Sequence, residues 1–216
     1  MSHSHAQGPD LRTQAIVREL AVIHELAAKD HQVGEPGLYS RIMVIVDGNI
    51  PAEGDSDNCY LTPVAAPRSG QGYYTLTATE GAERPREISL DEAKLSQQDS
   101  EVTTLLDAYE WIADQGFKVA AQSIQVILIS NIGPCTGCKA RLQIFYRDLL
   151  AAAGHSGSQV PITVESIYNT PEASLDRTRG VNKVPTTYGY PDAVNASHTI
   201  SGQQVALWIY RLPTRS

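Results

Sequence analysis

No run of about 18 apolar residues occurs anywhere in the 216-residue chain, which excludes a membrane-spanning helix. The opening stretch, Met1 to Asp10, has no apolar centre, so no signal peptide is expected. Residues 1–9 are read as a disordered N-terminus or tag remnant, and residues 10–216 as a single domain. Cysteine is scarce: there are three, and two of them share one Cys-x-x-Cys. An odd, small count argues against a secreted disulfide framework and leaves Cys59 as an ordinary thiol. Positive charge is in deficit, at 17 Lys and Arg against 24 Asp and Glu. That balance alone speaks against a nucleic-acid partner, but it is uneven. Residues 1–116 carry eight basic against nineteen acidic side chains, and residues 117–216 carry nine against five. The second part therefore permits polyanion binding.

Apolar content of 42% supplies a normal core, and its periodicity places the elements. From Pro9-Asp10, apolar residues from Leu11 to Ala27 recur at helical spacing until about Asp30, where Gly34-Glu-Pro-Gly37 forces a turn. His24 and His31 on this segment are read as a helix-surface and a loop histidine. Arg41–Val46 is a buried strand closed by Asp47-Gly48, and Ile50–Gly72 is a long loop. Tyr73–Thr79 is a second strand, expected antiparallel to the first, and Glu80–Gln98 is another loop. A helix from Ser100 to Gly116 carries the stripe Val102, Leu105, Leu106, Tyr109, Ile112 and Ala113, which leaves Glu101 on the exposed N-terminal turn. Ile124–Ile129 is apolar throughout, as in a central strand covered on both faces. A helix with Leu142, Phe145 and Leu149 inward follows and ends before Gly154. Strands at Ile162–Tyr168 and Val205–Tyr210 close the chain, separated by a polar segment read as loop or short helix. This order implies an α/β fold: a three-layer α/β/α sandwich around a five-stranded mixed sheet.

Between the central strand and the next helix stands Gly133-Pro134-Cys135-Thr136-Gly137-Cys138. Two thiols at a helix N-terminus meet free N–H groups and the positive end of the macrodipole, which favour thiolate over thiol. Thiolate serves a metal and a redox site equally, so the motif alone leaves both open. Upstream, Asp99-Ser100-Glu101 opens the preceding helix. Taken alone it is a plain N-cap with an acidic first turn.

An x-E pair at one helix start and Pro-Cys-x-x-Cys at the next resembles the layout of the zinc-dependent nucleobase deaminases. Order, spacing and motifs are similar to the cytidine deaminase-like superfamily over residues 10–212, with the bacterial polymorphic-toxin nucleic-acid cytosine deaminases as the nearest branch. Its specific part here is Asp99, Glu101, Pro134, Cys135 and Cys138. Asp99 stands where His is usual, and the resemblance implies that His, Cys or Asp can serve there in that branch. It further implies Zn2+ held by Asp99, Cys135 and Cys138, Glu101 as proton shuttle, and hydrolytic conversion of cytosine to uracil. The polymer implied is single-stranded DNA or RNA, with DNA favoured. It admits a cognate immunity protein as partner, and cytoplasmic location or delivery as a toxin. Tyr188–Ala193 is similar to a C-terminal feature of such toxins, and Tyr168-Asn169 falls where those enzymes read the neighbouring nucleotide.

Residues expected at the substrate are Asn49, Tyr73, Pro134, Tyr168, Asn169, Arg177 and Arg179. Lys183, Lys139, Arg141 and Arg147 add positive charge, and Tyr74, Tyr188 and Tyr190 add stacking faces. Taken singly, each arginine is as well read as solvated surface and each tyrosine as core. Three other readings compete. A deaminase of a free nucleoside or nucleotide would use the same catalytic residues. A thioredoxin-like oxidoreductase shares strand, CxxC and helix, with Val184-Pro185-Thr186 imitating its proline segment, but leaves Glu101 without a task. A metal-stabilised binding module without activity would retain the cysteines.

Overall fold

The computed structural model describes residues 10–31, 39–51, 58–66, 100–116, 121–134, 136–155, 159–170, 191–200 and 202–212. In chain order these form α1 (Leu11–His31), β1 (Ser40–Val46), β2 (Cys59–Leu61), α2 (Ser100–Trp111), β3 (Ile124–Ile132), α3 (Thr136–His155), β4 (Ile162–Thr170), β5 (Pro191–Ile200) and β6 (Gln203–Arg211). A π-helical turn, Ile112–Gly116, continues α2. The fold is mixed α/β. One sheet runs in the order β2-β1-β3-β4-β6-β5. Only the β3–β4 pair is parallel, joined through α3. The other neighbours are antiparallel.

Strand alternation divides the core between the two faces of this sheet. Ile42, Val44, Val46, Val126 and Leu128 point to one face, where Leu105, Ala108, Tyr109 and Ile112 of the α2 segment and Leu142, Phe145 and Leu149 of α3 cover them. Met43, Ile45, Ile127 and Ile129 point to the other, against Ala15, Ile16, Leu20 and Ile23 of α1. Both faces of β1 and β3 are buried, which explains their nearly unbroken apolar sequence. On α2 the expected stripe divides: Leu105, Tyr109 and Ile112 are buried, and Val102, Leu106 and Ala113 flank them half-buried.

Five strands of seven to ten residues make up most of the sheet, and the three-residue β2 is added at one edge. Two strands lie where none was expected. β2 falls inside the stretch read as a long loop; its length is too short for alternation to show, and its pairing to β1 and the stacking of Tyr60 on Trp111 at 5.3 Å are tertiary events. β5 replaces the expected loop or short helix. It is polar, and its register shifts between Val194 and Ser197, so no period of two survives in the sequence. The expected strand Tyr73–Thr79 lies outside the described residues, as do residues 1–9.

Candidate active site at one end of the sheet

Register defines two ends of the sheet. At one, Ser40, Ser130, Tyr168 and Trp208 stand side by side across β1, β3, β4 and β6. At the other, Val46, Ile124 and Ile162 are aligned. The Ser40 end is where β3 runs out at Ile132 and α3 begins at Thr136, the residue after Cys135.

The N-terminus of α2 is fastened to the same end. The Ser40 and Ser100 hydroxyls hydrogen-bond at 2.8 Å in a buried position. Ser40 also pairs with Ser130 on β3, so the start of α2 is tied to the strand that leads into the cysteine motif. Beyond Ser130 the chain stays anchored: Asn131 Oδ1 accepts the Tyr39 N–H at 2.9 Å, and Ser130 Oγ donates to the Ile132 carbonyl at 2.7 Å. Gly133 and Pro134 are both buried. The starts of α2 and α3 thus lie at the same end of the sheet.

Glu101 is only 1% exposed and Cys138 is 0% exposed. The N-terminal turn of α2 was expected to face solvent, and it is instead packed against the sheet end. Thr104 Oγ1 donates to the Glu101 carbonyl at 2.9 Å, which steadies that turn. Gly133 explains the closeness of the loop to the sheet. A Cβ at this position would stand 2.7 Å from Cε2 of Tyr168, closer than carbon atoms tolerate. Only glycine lets the backbone lie on that ring.

Several expected substrate contacts are placed elsewhere. Asn49 follows β1 at the opposite end of the sheet, six strand positions from Ser40 or about 20 Å, and bonds back to the Val46 carbonyl. It does not join the site. Tyr168 is 5% exposed and belongs to the core beneath Gly133, so it offers no stacking face. Asn169, next along β4, points to the α1 face, where its amide meets the imidazole of His24. His24 is accordingly half-buried, and not a plain surface histidine. On α3, Arg141 is buried at 2% exposure, and Arg147 donates twice to Asp148 at 2.9–3.0 Å, so neither is a free phosphate contact. Cys59 pairs with Ile45, toward the far end of β1.

Asp99, Cys135, Tyr73, Tyr74, Arg177, Arg179, Lys183, Tyr188 and Tyr190 lie outside the described residues. Among the described residues no three His, Cys, Asp or Glu side chains form a group able to hold a metal ion. The sequence missed the fastening devices, Ser40–Ser100 and Gly133–Tyr168. Nothing in a serine or a glycine alone signals a partner 60 or 35 residues away. Compared with known protein families, curated proteins and solved structures, the chain matches none.

Proposed function

We propose that the chain is a three-layer α/β/α sandwich of the cytidine deaminase-like kind that hydrolyses cytosine to uracil in single-stranded nucleic acid, with DNA favoured. The observation that carries this is the burial of Glu101 and Cys138 at two helix N-termini on one end of the sheet. A buried thiol in the first turn of α3 and a carboxylate in the first turn of α2 fit a zinc site with Asp99, Cys135 and Cys138 as its donors. When bound, the metal supplies Lewis acidity and makes water a nucleophile near neutral pH. Glu101 moves the protons. Its carboxylate takes a proton from the attacking water and delivers it to the ring nitrogen, then takes the remaining proton from the newly added hydroxyl and passes it to the amino group, which departs as ammonia as that oxygen becomes the carbonyl. The hydrophobic surroundings of α2 and α3 exclude bulk water from that transfer. A redox role for the cysteines gives Glu101 no such task.

The test is metal analysis of purified protein together with mass-shift assays on cytidine, CMP and single- and double-stranded oligonucleotides. One zinc per chain and faster turnover of single strands than of duplex are expected, since the base must leave the stack. Oligonucleotide activity is expected to fall steeply with salt. No zinc, or a resting Cys135–Cys138 disulfide, sinks the reading. One set of observations favours a second reading, a deaminase of free nucleoside or nucleotide: Tyr168 and Arg141 are buried and Arg147 is paired to Asp148. Faster turnover of free cytidine or CMP, with little salt dependence, decides for it.

A further inference from the structure

Ser100 opens α2 between Asp99 and Glu101, and its side chain is committed to the sheet. The Ser40 and Ser100 hydroxyls, both fully buried, share a hydrogen bond of 2.8 Å across 60 residues of sequence. Ser40 is a firm anchor. Its backbone exchanges hydrogen bonds with Ala65 at 2.8 and 3.1 Å on one side and pairs with Ser130 on the other. On α2 the buried residues fall into two adjoining rows. Ser100, Thr104 and Ala108 form one; Glu101, Leu105 and Tyr109 form the other, and Tyr109 meets Phe145 of α3 edge-on at 6.4 Å. Successive residues of a helix stand about 100° apart around its axis, so holding Ser100 against β1 sets the bearing of Glu101. A rotation of about 20° carries a carboxylate that is roughly 6 Å from the axis by about 2 Å. Misplacement of that size is enough to spoil a proton transfer. The first turn is also where a helix is least restrained, because its leading N–H groups lack intrahelical partners.

We propose that Ser40 is a positioning residue for the proposed reaction: through its hydrogen bond to the Ser100 hydroxyl it fixes the rotation of the head of α2, and thereby the aim of the Glu101 carboxylate. The effect on turnover rests on the deaminase reading, whereas the placement of Glu101 can be read without activity. A buried hydrogen bond of purely structural use would contribute stability alone. This one also sets a direction.

The experiment compares Ser40→Ala, Ser100→Ala and the double variant of the full chain. Asp10→Ala is the control, because it loosens α1 on the other face of the sheet. The readings are the urea midpoint, kcat and KM on the best substrate under folding conditions, and the carbon-13 resonance of the Glu101 carboxyl in zinc-free protein, assigned by its loss in Glu101→Gln. Each serine variant is expected to lower kcat about 10–10²-fold with KM little changed, and to move the Glu101 resonance. The double variant is expected to match the singles in both, since all three remove the same bond. Asp10→Ala is expected to lower the midpoint and leave kcat and resonance as in wild type. A Glu101 resonance unmoved by Ser40→Ala overturns the proposal, and so does a moved resonance with kcat at the wild-type value. Losses in kcat that multiply in the double variant, or that Asp10→Ala reproduces, overturn it as well. If Ser40→Ala does not fold, Ser40→Cys, which keeps the size and weakens the donor, is judged by the same readings. A resonance that moves in a protein without turnover of any cytosine substrate leaves the positioning standing and removes the deaminase reading.

Discussion

At the scale of single residues, the site depends on two kinds of position: those that carry the chemistry and those that make room for it. In the proposed deaminase mechanism Glu101 is of the first kind. Glu101→Ala is expected to keep the fold and the zinc while turnover falls about 10²–10⁴-fold, and Cys138→Ala to lose both metal and turnover. Near-normal activity of Glu101→Ala would end the deaminase reading. Asp99→Ala should weaken zinc binding, and Asp99→His should restore it. If Asp99→Ala holds zinc unchanged, His155 and His198 are the other imidazoles to consider. His155 closes α3 about 25 Å from Cys138 and is too remote, whereas His198 lies on β5 beyond the Ala193–Trp208 pair, toward the site end. Gly133 is of the second kind. Gly133→Ala places a methyl 2.7 Å from the Tyr168 ring, so loop or ring must shift. A stability loss of about 1–3 kcal/mol is expected, with weakened zinc affinity because the shifted loop carries Cys135. Unchanged zinc affinity in Gly133→Ala would show that this close approach does not position the cysteines.

At the scale of elements, α1 is where local and long-range terms can be separated. Asp10 caps it, its carboxylate accepting the Thr13 N–H at 2.6 Å. That bond, with the Thr13 hydroxyl second, holds the Asp10 pKa below its ordinary 3.8. A depressed carboxylate contributes stability above its unfolded-state pKa and loses it as pH falls through the folded one. Asp10→Ala is therefore expected to cost about 1 kcal/mol at neutral pH, less at high salt because the group is exposed. The gap between the two proteins should close below pH 3.8. Urea midpoints at two pH values measure it, and a gap independent of pH would show that the cap is not ionic. The middle of α1 is held differently. Glu19, buried, takes Arg18 and Arg41 at 2.8 and 2.5 Å, and Arg41 also donates to the Thr62 carbonyl. One carboxylate thus joins α1 to β1 and to the chain beyond β2. Glu19→Ala strands a largely buried guanidinium and is expected to cost about 3–5 kcal/mol. A loss under about 1 kcal/mol would place this cluster among the weak surface pairs.

At the scale of the whole molecule, the sheet is the frame on which two helix ends meet, and metal binding should be felt by the entire fold. A ligand that binds only the folded chain adds about 2.7 kcal/mol at a free concentration of 100 times its Kd. For a chain of this length that corresponds to a rise of about 5–10 °C in Tm. Thermal melts with and without zinc, on wild type and Cys138→Ala, measure it. The rise is expected in the first and absent in the second. Among the described residues no helix is long and apolar enough to cross a membrane.

The elements with strong periodicity were legible in the sequence because their signal is local. α1, α2, α3, β1, β3, β4 and β6 each repeat an apolar pattern over enough residues to reveal period and bounds, and the expected start of the α3 helix beside the cysteines needed only the strand before it. β2 and β5 were not legible, since three residues and a bulged polar stretch carry no period and exist through their neighbours. The site divides along the same line. The cysteine pair stood out by its spacing, whereas Glu101 entered only through the resemblance to the zinc-dependent deaminases. Whether a residue is buried or exposed, and at which end of a strand it stands, depends on register and packing between distant segments. Only the tertiary structure could therefore put Asn49 at the opposite end of the sheet, bury Tyr168 under Gly133, and bury the Arg141 side chain in α3.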